Sequence, residues 1–260
     1  MSQALNEFSL RLDELRNDLS LLEHTFELRP RIYQVLDFEK RGDALNLARA
    51  FGDITGNQPA TLSGPMLVRL VASFERYLRK LMMETVESWA KKANGFDHLP
   101  EGLADRNLVL SGRFIASSDS PRDHLSIDLV ALIDNLVTCR KGSTTFKLNS
   151  SVFMDLIYGV TPEVIEKSLG TIQILNWMNK VGADRALQSH LGLARVPDAT
   201  KEIKVRLKKL SRWRNNWAHG GEDEISLTFR EVREEGDFLL AFSKALDSAV
   251  AKHIQAARLP

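Results

Sequence analysis

Apolar residues recur through most of this chain at intervals of three and four, and almost nowhere at intervals of two. Leu5, Phe8, Leu12, Leu15, Leu19, Leu22 and Phe26 set the pattern. An α-helix turns once in about 3.6 residues, so such a series lines one helical face. The same period returns at Leu67, Leu70, Val71, Phe74, Leu78, Leu81, Met82 and Val86, a long amphipathic helix running towards Trp89. Strand-like alternation is confined to "TTFKL" and "ISLTF", and there is no internal repeat and no G-x-x-x-x-G-K phosphate loop. The fold class expected is all-α. A chain of 260 residues with 43% hydrophobic content is enough for one sizeable core or two small ones.

Breakers divide the pattern. Pro30 is expected to end or bend the first helix, and a second helical pattern follows from about Ile32 to Phe51. The first stripe spans three heptads, which can zip a dimer or, as is more common inside a helical domain, pack within the chain. "TGNQPATLSGP" reads as a loop, with Ser63 able to cap the helix after it. The middle third reads as shorter helices: Ile127 to Val137 after "SSDSPRD", and Val152 to Ile157 after "RKGSTTFKLN". In "TPEVIEKSLG", Thr161 is a cap, Pro162 the first helical residue and Gly170 marks the exit. Trp177 and Met178 lie in a further apolar segment. The organisation expected is an N-terminal helical extension over 1–56, followed by a helical domain over 57–260 with inserted short helices.

Thirty-five basic residues nearly cancel thirty-four acidic ones, so any attraction to a polyanion must be local. The single cysteine, Cys139, allows no internal disulfide and no multi-cysteine zinc site; it is read as a buried thiol in a reducing compartment. The opening "MSQALNEFSLRLDELR" carries early acidic residues and no continuous apolar run, and no window approaches the ~18 apolar residues of a membrane span. A cytoplasmic chain with no membrane partner is the expectation.

The local charge lies late in the chain. After "RVPDAT", with Asp198 or Thr200 as cap, a helix is expected to run to about Ala218. At about 100° per residue, Lys201, Lys204, Lys208, Arg212, Asn215 and His219 fall on one stripe, while Ile203, Leu207, Leu210, Trp213 and Trp217 fall opposite as the core face. The tryptophans continue the apolar pattern and so read as packing rather than as base-stacking platforms. Lysine rows are usually only solvated faces. Here, however, seven cations and one anion lie between Lys201 and Arg214, and the row ends on an amide and an imidazole. A polyanion drawn along it would be delivered to His219. Gly220 and Gly221 stop the helix there, at the end where the macrodipole favours a positive charge.

"RNNWAHG" resembles the R-x(4-6)-H signature of HEPN domains, the helical ribonucleases of bacterial toxin and phage-defence systems. Arg214, Asn215 and His219 match its common form, a polar residue after the arginine and His-Gly at the helix end. The likeness extends more weakly to "LVASFERYLRKLM" and to the helix expected from about Leu227 to His253, an arrangement similar to the RiboL-PSP-type HEPN branch. The resemblance implies an HEPN-like helical bundle, here with extra N-terminal and middle helices. It implies a homodimeric endoribonuclease that needs neither metal nor cofactor and leaves 2',3'-cyclic phosphate and 5'-hydroxyl ends. It also implies a toxin-antitoxin or phage-defence setting, with an antitoxin or regulatory partner possible. Arg214, Asn215 and His219 would be the catalytic set, and Lys201, Lys204, Lys208 and Arg212 would bind the RNA. The alternative is a non-catalytic HEPN-type module that binds RNA, nucleotide or a partner protein.

One departure concerns the arginine. By ideal periodicity Arg214 lies about 140° from His219, whereas Arg212 shares the histidine's face. Either the helix end unwinds, or Arg214 reaches round it, or the two groups meet across a dimer interface. Arg214 could also be a structural arginine with its stem along the core edge. His24, His98, His124, His190 and His253 are scattered and form no H-E-x-x-H motif, so no metal site is expected. Glu222, Asp223 and Glu224 read as a solvated loop able to mask the basic stripe.

Overall fold

The computed structural model describes residues 1–39, 59–117, 128–219 and 227–259. Among these the regular elements are all helical: α1 (Gln3–Glu39), α2 (Pro59–Lys92), a 3₁₀ turn (Phe96–His98), α3 (Leu103–Ala116), α4 (Leu129–Thr138), a longer 3₁₀ segment (Ser150–Leu156), α5 (Pro162–Thr171), α6 (Trp177–Gly182), α7 (Arg185–Leu191), α8 (Val196–His219) and α9 (Phe229–Ala256). No described residue is in a strand, so the all-α expectation holds. Of the two strand candidates, "TTFKL" is irregular chain. In "ISLTF", Ile225 and Ser226 lie outside the described residues and Phe229 opens α9, whose Thr228 and Glu231 form a reciprocal capping box.

Helix α2 is central, packing against α1, α8, α9 and the segment Ser150–Leu156. Its periodic residues from Leu67 to Trp89 are buried, as the period requires. Two polar tips on that face find carbonyl partners: the Tyr77 hydroxyl donates to Ser243 (3.0 Å) and the Trp89 indole N–H to Ile172 (2.9 Å). The stripe of α1 packs within the chain. Leu5, Phe8, Leu12, Leu15 and Leu19 are buried in the core formed with α2 and α9, and Leu22 and Phe26 lie at its edge. The orphan amides at the start of α1 are met from elsewhere: Ser2 Oγ accepts from Leu5, and Glu84 accepts from Ala4 at 2.8 Å.

Several boundaries differ from expectation. Helix α1 continues past Pro30 to Glu39, because one missing amide donor does not end a helix already anchored over its preceding turns. The expected second helix from Ile32 is therefore continuous with the first as far as Glu39, and its remainder lies outside the described residues. "TGNQPATLSGP" is not a loop where it is described: α2 begins at Pro59 and carries Pro65 within it. Ser63 is no cap; buried inside the helix, it donates to the carbonyl of Leu227 at 2.5 Å. Helix α8 starts at Val196, so Asp198 and Thr200 fall within its first turns rather than before it. Helix α4 begins at Leu129 under Asp128, which caps Val130 and Ala131; most of "SSDSPRD" and Ile127 lie outside the described residues. At α5, Thr161 caps Val164 and Pro162 is the first helical residue, as read.

Cys139 is half-buried rather than buried. Its Sγ donates to the Lys147 carbonyl at 3.3 Å, and partial burial raises the thiol's pKa above its ordinary value. No helix among the described residues is long and apolar enough to cross a membrane.

Candidate RNA-binding and cleavage site

Helix α8 is built with two faces. Ala199, Ile203, Leu207 and Leu210 are buried, and Trp213 and Trp217 pack half-buried at the core edge. On the other side Lys201, Lys204, Lys208, Arg212, Asn215 and His219 are all exposed, so the periodic stripe is a continuous solvent-facing surface.

The cations do not contribute equally. Lys208 pairs with Glu163 on α5 at 2.5 Å, and the lysine's hydrogen bond is the first cause holding that carboxyl below its usual pKa. Both partners are well exposed, so the pair adds little stability. Any anion approaching Lys208 would compete with Glu163 for it. Arg206 and Lys209, which lie off the stripe, turn inward to Glu235 of α9. Arg206 Nε and Nη2 reach Oε2 at 3.1 and 3.0 Å, and Lys209 Nζ reaches Oε1 at 2.5 Å. The Arg206 guanidinium also covers Phe238, and Lys209 lies over the Trp213 ring. Two of the seven cations between Lys201 and Arg214 are therefore structural, clamping a buried carboxylate between α8 and α9.

Removing that carboxylate leaves two half-desolvated cations unpaired. Glu235→Ala is expected to cost on the order of 3 kcal/mol in urea unfolding, at the low end for a buried cluster because Lys209 is 34% exposed. Unfolding at the wild-type urea concentration would show that the clamp carries no stability.

At the motif end, α8 stays α-helical through His219, so the histidine is not released by unwinding. Arg214 is half-buried on the helix shoulder, and its Nη1 donates to Asn215 Oδ1 at 3.1 Å. Asn215 lies one turn before His219 on the exposed face. The guanidinium is thus turned towards the stripe through the amide, and among the described residues the Asn215 side-chain N–H₂ makes no hydrogen bond. Among the described residues Arg214 and His219 share no hydrogen bond. Gly220, Gly221 and the acidic run Glu222 to Glu224 lie outside the described residues.

Two residues that position the site escaped the sequence reading. Gly64, in the first turns of α2, lies against the indole of Trp217: a Cβ there would stand 2.1 Å from Trp217 Cδ2. The absence of a side chain lets α8 approach α2 beside the motif. Glu235 is the other, hidden in the charged run "REVREEGD", which looks like a solvated face. Among the described residues no group of three or more His, Cys, Asp or Glu is placed to hold a metal ion, and His124 is outside them.

A family model described as RiboL-PSP-HEPN matches the chain over residues 36–252. No curated protein and no solved structure matches.

Proposed function

The chain belongs to the RiboL-PSP-HEPN family, whose domains are often ribonucleases and commonly bind RNA and dimerise, and from that premise we propose that it is an endoribonuclease working through Arg214, Asn215 and His219. The observation that carries the reading is the Arg214–Asn215 hydrogen bond, one turn before an exposed histidine at the end of a cationic helix face.

The substrate's own 2'-hydroxyl is the nucleophile. A base removes its proton as the oxygen attacks the adjacent phosphorus. The phosphorane gathers negative charge on its non-bridging oxygens, and the 5'-oxygen departs with a proton from an acid. The products are a 2',3'-cyclic phosphate and a 5'-hydroxyl. Arg214 offers a planar fork of N–H donors to the phosphoryl oxygens, where charge grows most in the transition state. Asn215 holds that fork with its carbonyl oxygen and keeps its N–H₂ for a phosphate oxygen. His219 serves as acid or base. One imidazole cannot hold a proton and lack it in the same step. A two-fold dimer that brings a second His219 to the same phosphate supplies the missing role. Lys201, Lys204 and Arg212 guide the strand, with Lys208 joining once Glu163 is displaced. This set works without a metal, and a toxin-antitoxin or defence setting, with its regulatory partner, is part of the same reading.

Purified protein incubated with total RNA in EDTA should give fragments that carry 2',3'-cyclic phosphate and 5'-hydroxyl ends. Fragments with 5'-phosphate ends would refute the mechanism. RNA that is bound but never cut, by wild-type protein of demonstrated dimeric state, would favour the non-catalytic binding module.

A further inference from the structure

Helix α6, the start of α7 and the last turns of α9 border a groove of about 750 Å³. It lies far from His219. Gly182, which closes α6, is packed against Thr200 in the first turns of α8. A rise of about 1.5 Å per residue puts His219 roughly 28 Å farther along that helix.

Four nitrogen-bearing side chains line the groove: Lys180, Arg185, Lys252 and His253. Among the described residues none of the three cations makes a salt bridge. The one acid on the groove, Asp184, spends its Oδ1 on the amide of Leu187, where it caps α7 at 2.9 Å. Ala245, Ala249 and Ala256 form a floor of small apolar side chains. Three cations against one carboxylate leave the hollow net positive, and an anion between the cations relieves their mutual repulsion.

The geometry around His253 records the same shortage of negative charge. Lys180 Nζ lies 2.6 Å from His253 Nδ1, so the imidazole accepts there and is neutral. Burial first, then Lys180, holds its pKa below the ordinary value, against a hydrogen bond to the Gln173 backbone. Lys180 of α6 contacts the ring and the Trp89 ring of α2 meets it edge-on, Asp184 and Arg185 at the head of α7 and Lys252 on its own helix line the same groove, and Lys92 of α2 is committed to the carbonyls of Ile254 and Gln255 just after it.

We infer that this groove binds a polyphosphate group, free or carried by a nucleotide, with Lys180, Arg185 and Lys252 on the phosphate oxygens. The guanidinium matches two phosphate oxygens at once, and the volume falls in the ~300–1,000 Å³ range of small-ligand sites. The alanine floor accepts the flat apolar surface of a base when one is attached. Binding draws Lys180 Nζ from His253 to the phosphate, which leaves Nδ1 free beside a new anion. The imidazole then takes up a proton, and His253 titrates at higher pH in the complex than in the free protein.

The full-length protein is titrated calorimetrically with pyrophosphate, ATP and adenosine, and His253 is followed by NMR. Pyrophosphate and ATP are expected to saturate one site and adenosine not to bind. Equal affinity for the first two would identify free polyphosphate as the ligand; tighter ATP would identify a nucleotide. Arg185→Ala with Lys252→Ala, both exposed positions, should weaken binding by roughly tenfold or more with an unchanged melting curve. Lys204→Glu and His219→Ala should leave binding intact, and the His253 titration should move up with ligand bound. The proposal is overturned if neither pyrophosphate nor ATP saturates, if Lys204→Glu weakens binding as much as the groove variant does, or if His253 titrates unchanged in the complex. A groove that takes only an oligonucleotide overturns it as well.

Discussion

His219→Ala is expected to lower RNA cleavage by about 10²- to 10⁴-fold, the range that one positioned acid or base contributes. The fold should not notice the change. His219 is exposed at the last position of α8 and, among the described residues, makes no hydrogen bond, so its loss should alter stability by no more than about 0.5 kcal/mol. RNA affinity should also survive, since binding rests mainly on lysines and arginines that the substitution leaves in place. The neighbouring arginines separate two readings of the motif. Arg214, already bonded to Asn215, is expected to matter through its fork: Arg214→Lys keeps the charge but not the paired donors, and cleavage should fall nearly as far as in Arg214→Ala. Arg212→Ala should instead weaken RNA binding and reduce its salt dependence, because one fewer counterion is released. A His219→Ala protein that cuts at the wild-type rate would remove the proposed chemistry altogether. The reverse ranking of the two arginines would move the essential guanidinium to Arg212.

The two faces of α8 were legible because both follow from one period. The count that buries Ile203, Leu207 and Leu210 also exposes Lys204, Lys208 and Arg212, and no tertiary information is needed to separate them. The same holds for the buried face of α2 and for Thr161 and Pro162 at the head of α5, where the determinants are local. Legibility failed wherever a partner distant in sequence decides the outcome. Ser63, Gly64 and Pro65 read as a loop because each is a poor helix former alone. In the fold Ser63 is satisfied by Leu227 and Gly64 by the ring of Trp217, and burial against α8 and the start of α9 outweighs intrinsic preference. The free charge of the segment from Lys201 to Arg214 is smaller than its count of cations for the same reason. Nothing near Arg206 or Lys209 in sequence announces Glu235, and nothing near Lys208 announces Glu163. The relation of Arg214 to His219 was correctly posed as a problem of about 140° of rotation. The structure closes the unwinding route and turns the guanidinium towards Asn215.

Gly64→Ala separates helix propensity from packing, because the two predict opposite signs. In a helix interior the change should stabilise by roughly 1 kcal/mol, since alanine gives up less backbone freedom on folding than glycine does. Here the new Cβ would stand 2.1 Å from Trp217 Cδ2 and 2.3 Å from Cε2 and Cε3, inside any real contact distance. Neither side yields easily: the indole is rigid, and the Cβ is fixed to the backbone of α2. Overpacking of this kind costs about 1–3 kcal/mol, so the net expectation is destabilisation. It should come with reduced cleavage, since Trp217 lies between Asn215 and His219 and cannot move without disturbing one of them. The coupling is testable because the three atoms nearest the new Cβ all belong to Trp217. Trp217→Leu alone removes packing and destabilises, but in its background Gly64→Ala should lose its penalty and recover the sign that helix propensity predicts, giving strong non-additivity in a double-mutant cycle. If Gly64→Ala raises the melting temperature of the otherwise native chain, or if the two substitutions simply add, then Trp217 does not rest on α2 and the placement of the motif end must have another cause.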